Sequence, residues 1–186
     1  KKHKKNNENI VLHTYFDPNI QKAVEDSVQK VFSKFVLSSS VAEVAVVVMN
    51  KNGKVNAILG GRKNRFNDNF NRSIQAFRQP GSAFKPLVFA TALEKGFSPN
   101  DMFFDQKKTF ILENGSKYSP KNYDDIYRGK ISLADSLVYS LNTITVELAQ
   151  KVKMKNIIKM SEDFGIKSKI SENLASSLGT SEVNLL

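Results

Sequence analysis

A serine and a lysine three positions apart could form a nucleophile with its own base. They are Ser82 and Lys85, in the segment RQPGSAFKPLVF at residues 78–89. Residues at i and i+3 lie on one face of a helix, so we predict that the hydroxyl and the amine meet there. A serine at the start of a helix also lies near the positive end of the helix dipole, which favours negative charge on its oxygen. The pattern therefore predicts covalent catalysis by an activated serine.

The same Ser-x-x-Lys spacing occurs a second time, at Ser27 and Lys30, so the spacing alone is a weak indication. Ser27 lies within the apolar stripe of a predicted helix, where packing would cover its hydroxyl. Ser82 instead follows a Pro-Gly break and opens a helix, where its side chain can face a cleft. The alternative is that Ser82 only caps the helix and takes no part in chemistry.

A serine and an asparagine two positions apart, Ser140 and Asn142 in YSLNT, are a second candidate pair. On a continuous helix two such residues point about 200° apart, so they cannot face one site. Apolar residues divide here into two stripes, which predicts a tight corner that would turn both side chains toward one cleft. The stripes contain Leu133 and Leu137 before the corner, and Ile144 and Leu148 after it. The alternative is a serine at a helix break and a capping asparagine.

Capping residues mark where four of the predicted helices begin or end, and these helices would help to position the site. Asp17 caps a first helix that begins at Pro18, and Ser132 caps the third through a Ser-x-x-Asp pattern. A glycine directly after the helix marks the end of the second and fourth helices. The helices span residues 18 to about 36, 82–95, from 132 onward, and 155–164, with glycines at 96 and 165.

Strand signals lie in the first third of the chain and around one later turn. Residues 10–16 are a strand candidate. An Asn-Gly turn at residues 52–53 joins two apolar runs into a predicted hairpin. The first strand of this hairpin is apolar enough to be buried on both faces. A second hairpin is predicted around residues 109–118, through Asn114-Gly115. The fold class is α+β: an antiparallel sheet completed by strands outside this chain, helices on its faces and an adjoining helical layer, with a cleft where they join.

Composition excludes several classes of function. The 186 residues contain no cysteine, and His3 and His13 lie apart from acidic clusters, so we expect no disulfide, metal site or cofactor. No apolar run approaches the roughly 18 residues of a membrane helix, so any membrane segment would lie outside this chain. The net charge of +10 indicates a solvated surface rather than a nucleic-acid site, since no aromatic RNA-binding signature accompanies it. Residues 1–8 are predicted to be a basic lead-in or linker. For the chain as a whole, a basic module that binds an anionic polymer is an alternative function.

Four segments in one order resemble a known family. They are NRSIQAFRQPGSAFKP around Ser82, SPKNYD at 119–124, ISLADSLVYSLNT at 131–143 and LGTSEV at 178–183. The chain resembles the penicillin-binding transpeptidase domain of a bifunctional (class A) penicillin-binding protein, a family with a Ser-x-x-Lys signature. On this resemblance, residues 9–186 form a partial penicillin-binding transpeptidase domain.

The resemblance implies a serine D,D-transpeptidase that cross-links peptidoglycan stem peptides and is covalently inhibited by β-lactam antibiotics. Ser82 would attack a stem peptide ending in D-Ala-D-Ala and form an acyl-enzyme, with Lys85 as the base. Ser140 would relay a proton to the leaving amine, and Asn142 would bind the substrate amide and orient Lys85. The family implies action at the outer, periplasmic face of the bacterial cytoplasmic membrane, through an anchor outside this chain.

One element of the family is absent from the sequence, the Lys-(Thr/Ser)-Gly strand; the nearest string is Lys108-Thr109-Phe110. Because the strand is absent, we expect this chain to be the amino-terminal portion of the domain. In the family that strand supplies an oxyanion-hole donor, so we also expect this chain to acylate poorly by itself. A class D-like β-lactamase or a penicillin-sensing domain is the alternative, although such proteins usually carry Ser-x-Val where this chain has Asn142.

Overall fold

The computed structural model describes residues 11–35, 42–62, 70–112 and 114–186. The chain divides into two units, residues 1–76 with 185–186, and residues 77–184. Both units combine helices with antiparallel strands, as an α+β fold requires. The predicted lead-in at residues 1–8 lies outside the described residues.

The first unit consists of a hairpin with helices beside it. Its elements are α1 (Pro18–Phe35), β1 (Val46–Met49), β2 (Val55–Leu59) and α2 (Arg72–Gln75). The carboxylate of Asp17 accepts hydrogen bonds from the amides of Asn19 and Ile20, which confirms the predicted cap of α1. β1 and β2 pair antiparallel, and Gly53 in their turn has a φ of 74°. The predicted hairpin is therefore confirmed.

Three predictions for this unit are wrong. Residues 11–16 form no strand, because the described chain before α1 makes only two hydrogen bonds to β2, both with Asn56. β1 is partly buried rather than covered on both faces, and Met49 is half exposed, because α1 and α2 both pack against β2. Ser27 is exposed rather than covered, and its hydroxyl donates at 2.6 Å to a backbone carbonyl one turn earlier in α1.

The second unit, described throughout except for residue 113, contains four helices and two small antiparallel sheets. Its helices are α3 (Lys85–Glu94), α4 (Leu133–Val138), α5 (Asn142–Val152) and α6 (Met154–Asp163), with 3-10 turns at Gly81–Phe84 and Leu174–Leu178. Its strands are β3 (Met102–Asp105), β4 (Phe110–Ile111), β5 (Lys117–Tyr118) and β6 (Gly129–Ser132). β3 pairs with β6, and β4 with β5, which confirms the hairpin predicted around residues 109–118. Ser132 caps α4 as predicted, since its hydroxyl accepts the amide hydrogen of Asp135.

The core of the second unit lies around α3, which contacts both α5 and α6. Val88 and Ala92 of α3 are fully buried, as are Ile144 of α5 and Ile157 of α6. Because apolar side chains cover α3 on most sides, the first residue of this helix also points into the unit.

The helix predicted over residues 82–95 divides into a 3-10 turn followed by α3. In a continuous α-helix the carbonyl of Ser82 would accept the amide hydrogen of residue 86, but Pro86 has none to donate. The amide of Lys85 donates to that carbonyl instead, which closes a 3-10 turn. Gly96 follows the helix with a φ of 90°, so the predicted end is confirmed.

Candidate active site

The side chain of Ser82 is exposed on the 3-10 turn that precedes α3. Among the described residues its hydroxyl has no hydrogen-bond partner. An exposed hydroxyl with no partner in the protein is accessible to a ligand. The position in the first turn of a helix also leaves the Ser82 amide without an intrahelical acceptor.

The turn that carries Ser82 is held in place by the segment LGTSEV. The amide of Gly81 donates to the carbonyl of Gly179 at 3.1 Å, and Arg78 and Val183 exchange backbone hydrogen bonds of 2.9 and 3.0 Å. A Cβ atom on Gly179 would lie 2.2 Å from the carbonyl oxygen of Gly81, and Gly179 has a φ of 75°. Only glycine allows both this backbone conformation and this close approach.

Lys85 is buried at the start of α3, with 1% of its surface exposed. Its Nζ atom donates to three oxygens that belong to two residues on the far side of the site. These oxygens are Ser140 O at 2.6 Å, Ser140 Oγ at 2.9 Å and Asn142 Oδ1 at 2.6 Å. Burial disfavours the charged amine and lowers the pKa of Lys85 from 10.5 to about 8.

Ser140 forms the corner between α4 and α5. It has a φ of 53°, a conformation that serine rarely adopts. The amide of Ser140 donates to Leu137 and the amide of Leu141 donates to Ser136, both at 2.9 Å, and these bonds close the corner. The predicted bend is confirmed, and it brings the carbonyl and the hydroxyl of Ser140 to the same amine.

Asn142 is the first residue of α5, and hydrogen bonds define the orientation of its amide. Its Nδ2 donates to the carbonyl of Lys121 at 2.7 Å, so its Oδ1 faces Lys85. Its main-chain amide donates to Asn122 Oδ1 at 2.9 Å. The residue is therefore held from two sides by the loop that contains SPKNYD.

The three partners of the lysine amine differ in what they can do when it loses a proton. A charged amine has three hydrogens to donate, one for each oxygen. A neutral amine has two hydrogens and one lone pair, so one contact must reverse. The carbonyl oxygens of Ser140 and Asn142 can only accept, whereas the Ser140 hydroxyl can also donate. The Ser140 hydroxyl is therefore the one contact that can reverse when Lys85 is neutral.

A cavity of about 370 Å³ opens above these groups. Its lining consists of Ser82, Asn122, Tyr123, Asp124, Tyr139, Ser140 and Asn142. Arg128 supports one wall, since its guanidinium lies 4.8 Å from the centre of the Tyr139 ring and donates to Asp124 at 2.7 Å. That hydrogen bond lowers the pKa of the Asp124 carboxyl. The cavity thus has an exposed serine, a second hydroxyl and an amide on its surface.

Three of the four predicted site residues, Ser82, Ser140 and Asn142, line this one cavity, and Lys85 contacts the last two. The predicted meeting of the Ser82 hydroxyl with the Lys85 amine is not present as a hydrogen bond in the described structure, because the amine reaches across to the corner at Ser140 instead.

Sequence reasoning assigned no role to three buried polar residues: Asn122 in the cavity wall, and Asp105 and Thr143 behind it. The carboxylate of Asp105 accepts hydrogen bonds from the side chains of Asn122 and Thr143. Asn122 lies within the segment SPKNYD, so that match was the available signal. Nothing local in the sequence singles out the other two.

The described part of the chain contains no group of three His, Cys, Asp or Glu side chains able to hold a metal ion. In the same residues, no helix has both the length and the apolar character needed to cross a bilayer.

A family model described as the penicillin binding protein transpeptidase domain matches residues 44–180. Penicillin-binding protein 1A of Aquifex aeolicus is 34% identical over 137 residues, which are 73% of this chain and 19% of that protein. The chain thus spans less than a fifth of the length of the first curated relatives it matches.

Solved structures show the same likeness. The crystal structure of penicillin-binding protein 1A from Haemophilus influenzae matches with a TM-score of 0.71 and 30% identity, over 77% of this chain and 22% of that one. The PonA1 protein of Mycobacterium tuberculosis, in complex with penicillin V, matches with a TM-score of 0.77 and 25% identity, over 94% of this chain and 48% of that one.

Proposed function

The chain belongs to the penicillin-binding protein transpeptidase family and has its α+β fold, and we propose that the protein is a serine D,D-transpeptidase that cross-links peptidoglycan. Its substrate is a stem peptide that ends in D-Ala-D-Ala. One observation carries the proposal. Ser82, Ser140 and Asn142 line one cavity, and the last two bind the amine of a buried Lys85.

Ser82 supplies the nucleophile of the first step. Its Oγ attacks the carbonyl carbon of the penultimate D-alanine, an ester bond forms, and the bond to the nitrogen of the terminal D-alanine breaks. The proton of the hydroxyl ends on that nitrogen, so D-alanine leaves as an amine. In the second step an amine of a neighbouring stem peptide attacks the ester, and the Ser82 hydroxyl is restored.

Lys85 supplies the base, and its burial explains why part of the amine is neutral at pH 7. With its pKa lowered to about 8, roughly a tenth of the amine is neutral at pH 7. An ordinary lysine would be neutral in only about three molecules in ten thousand at that pH. Desolvation, the cause of this shift, therefore raises the population of the active base several hundredfold.

Ser140 connects the base to the leaving group. Its hydroxyl lies on the cavity wall and is hydrogen-bonded to Lys85, so a proton taken up by the amine can return to the substrate nitrogen through it. The hydroxyl is the one partner of the amine that can both accept and donate.

Asn142 orients both the base and the substrate. Its Oδ1 accepts from Lys85, and one hydrogen of its Nδ2 is donated to the Lys121 carbonyl. The second hydrogen of Nδ2 is available to a carbonyl of the stem peptide. The Ser82 amide, which has no intrahelical acceptor, can donate to the oxyanion of the tetrahedral intermediate.

β-Lactams act on this site as covalent inhibitors because Ser82 opens the ring and stays acylated. The PonA1 structure in complex with penicillin V supports this part of the proposal. Stem peptides occur outside the bacterial cytoplasmic membrane, so the proposed place of action is the outer, periplasmic face of that membrane.

Labelling of the intact protein with a fluorescent penicillin tests the proposal. Ser82→Ala should lose all labelling. Ser27→Ala should keep full labelling; it is the matched control, because Ser27 is exposed and belongs to the other Ser-x-x-Lys copy. Labelled Ser82→Ala protein would place the nucleophile elsewhere.

A second assay follows the reaction itself. The intact protein, given a synthetic peptide ending in D-Ala-D-Ala and an acceptor amine, should release D-alanine and form the joined peptide. Rapid turnover of the penicillin without peptide joining would identify a hydrolase and overturn the proposal.

A further inference from the structure

A buried carboxylate lies behind the site, at the end of β3. Asp105 has 1% of its surface exposed, and in the described part of the chain no lysine or arginine side chain forms a salt bridge with it. Four hydrogen bonds surround it instead. Its Oδ1 accepts from Asn122 Nδ2 at 2.9 Å and Thr143 Oγ1 at 2.5 Å, and its Oδ2 accepts from Asn122 Nδ2 at 3.0 Å and the Arg128 amide at 2.8 Å.

A buried carboxylate that forms no salt bridge is a costly way to stabilise a fold, since apolar residues of the same volume do so at least as well. A carboxylate does, however, fix the direction of the hydrogen bonds around it. It is an acceptor at every lone pair, so every group that contacts it must present a hydrogen. Asp105 therefore dictates the orientation of each polar side chain around it.

The side chain oriented in this way is Asn122, which is 4% exposed. Its Nδ2 donates to both oxygens of Asp105 and to the carbonyl of Ile126, so its Oδ1 must point the other way. That oxygen accepts the main-chain amide of Asn142 at 2.9 Å. α5 has no capping side chain of its own, and Asn122 satisfies its first amide from a distant loop.

The same loop also holds the side chain of Asn142. The carbonyl of Lys121, next to Asn122, accepts Nδ2 of Asn142 at 2.7 Å, and Oδ1 of Asn142 then accepts from Lys85 at 2.6 Å. One chain of hydrogen bonds thus leads from Asp105 through Asn122 and Asn142 to the amine of Lys85.

We infer that Asp105 is a positioning residue of the acylation reaction: its carboxylate orients the amide of Asn122, which fixes Asn142 against the amine of Lys85. The inference rests on the proposed function, because it assigns Asp105 to the same site. Thr143 contributes to the same arrangement, since its hydroxyl donates to Asp105 while its amide lies 3.5 Å from Asn122 Oδ1.

The neutral isostere cannot take the place of the carboxylate. In Asp105→Asn one oxygen becomes an NH₂ group, which must then lie against the NH₂ of Asn122. If Asn122 turned over to relieve this contact, its NH₂ would face the amide of Asn142, which can only donate. Every arrangement leaves two donors in contact, so the substitution disturbs the Asn122 amide that holds Asn142 against Lys85.

The test is the rate of acylation by a fluorescent penicillin in the intact protein, measured from pH 6 to pH 10. Asp105→Asn should slow acylation about 10- to 100-fold, as expected for a small displacement of a reacting group. The midpoint of its pH profile should move to lower pH. The reason is that the charged amine loses more stabilisation than the neutral amine when the Asn142 oxygen that accepts from it moves. A variant that folds and keeps both the rate and the midpoint overturns the inference, and so does a slower rate with an unchanged midpoint.

A matched pair on α5 decides the matter if Asp105→Asn does not fold. Thr143 and Thr145 are both fully buried, and the hydroxyl of Thr145 donates only to the carbonyl of Leu141, the residue directly before α5. Thr143→Val should change the rate and the midpoint in the same direction as Asp105→Asn, and Thr145→Val should change neither. Equal behaviour of the two valine variants overturns the inference. A wild-type protein that takes up no label overturns the proposed function, and the inference with it.

Discussion

The Nζ atom of Lys85 lies 2.9 Å from Oγ of Ser140, although the two residues are 55 positions apart in the chain. The carbonyl oxygen of Ser140 accepts from the same amine at 2.6 Å. One residue therefore holds the lysine through its main chain and its side chain. Changes at either end of this contact should alter the reaction of Ser82.

Acylation should depend on pH through Lys85. Only the neutral amine acts as a base, so the acylation rate should rise with pH and level off above a midpoint near pH 8. The measurement is the rate of labelling by a slow β-lactam from pH 6 to pH 10. A flat profile over that range would show that another group is the base.

Removing the Ser140 hydroxyl should slow acylation about 10²- to 10⁴-fold, since it takes away the proposed proton relay to the leaving nitrogen. Ser140→Ala keeps the carbonyl contact to Lys85. The control is Ser136→Ala, because Ser136 is buried in α4 and its hydroxyl donates to a carbonyl of the same helix. Equal rates for the two variants would contradict the proposed relay.

A carboxylate in place of the Asn142 amide should move the pH profile to higher pH. In Asn142→Asp a negative charge would replace an oxygen that lies 2.6 Å from the amine. An opposite charge at this distance favours the protonated amine and raises the pKa of Lys85. Acylation at pH 7 should fall, and much of the loss should return at pH 9 to 10. No recovery at alkaline pH would argue against this electrostatic effect.

Burial of Lys85 should also appear in the stability of the protein. The unfolded chain holds the lysine proton up to pH 10.5 and the native state only up to about pH 8, so between these values the unfolded state binds more protons. The free energy of unfolding should therefore rise with pH in this window, relative to Lys85→Met, by up to about 3 kcal/mol. Urea unfolding from pH 7 to pH 11 measures the difference. Lys95→Met, at the exposed end of the same helix, is the matched control.

Gly179→Ala should destabilise the protein and slow acylation, because its Cβ would displace the Gly81 backbone beside the nucleophile. Gly165→Ala is the control, since Gly165 also has a positive φ but has no atom within 4 Å of an added Cβ. The control should lose only the backbone cost of about 1–3 kcal/mol. If Gly179→Ala were as stable and as readily labelled as Gly165→Ala, the close approach of Gly179 to Gly81 would not be needed to hold the turn that carries Ser82.

Local features of the fold were predictable where neighbouring residues decide the structure. The caps at Asp17 and Ser132, the hairpin turn at Gly53 and the corner at Ser140 each depend on a few adjacent residues. These features depend on short-range hydrogen bonds and backbone preferences, which can be predicted from the types of neighbouring residues.

Features that depend on distant partners were not predictable. Residues 11–16 have strand-forming side chains but too few hydrogen-bond partners on β2. The pairing of Asp105 with Asn122 and Thr143 joins three separate segments and has no local pattern. The four proposed site residues were singled out because they lie in family motifs, whereas the contact between Lys85 and the corner is visible only in the fold.

The connection between α4 and α5 consists of three residues, and the middle one, Ser140, already has an unusual φ. Each residue in a helix advances the chain by about 100°. An insertion or deletion of a single amino acid here would rotate Asn142 away from the lysine amine. Surface loops commonly vary in length between related proteins. The length of this connection is set by the contacts that Ser140 and Asn142 make with Lys85, and it should be among the least tolerant of any change in residue number.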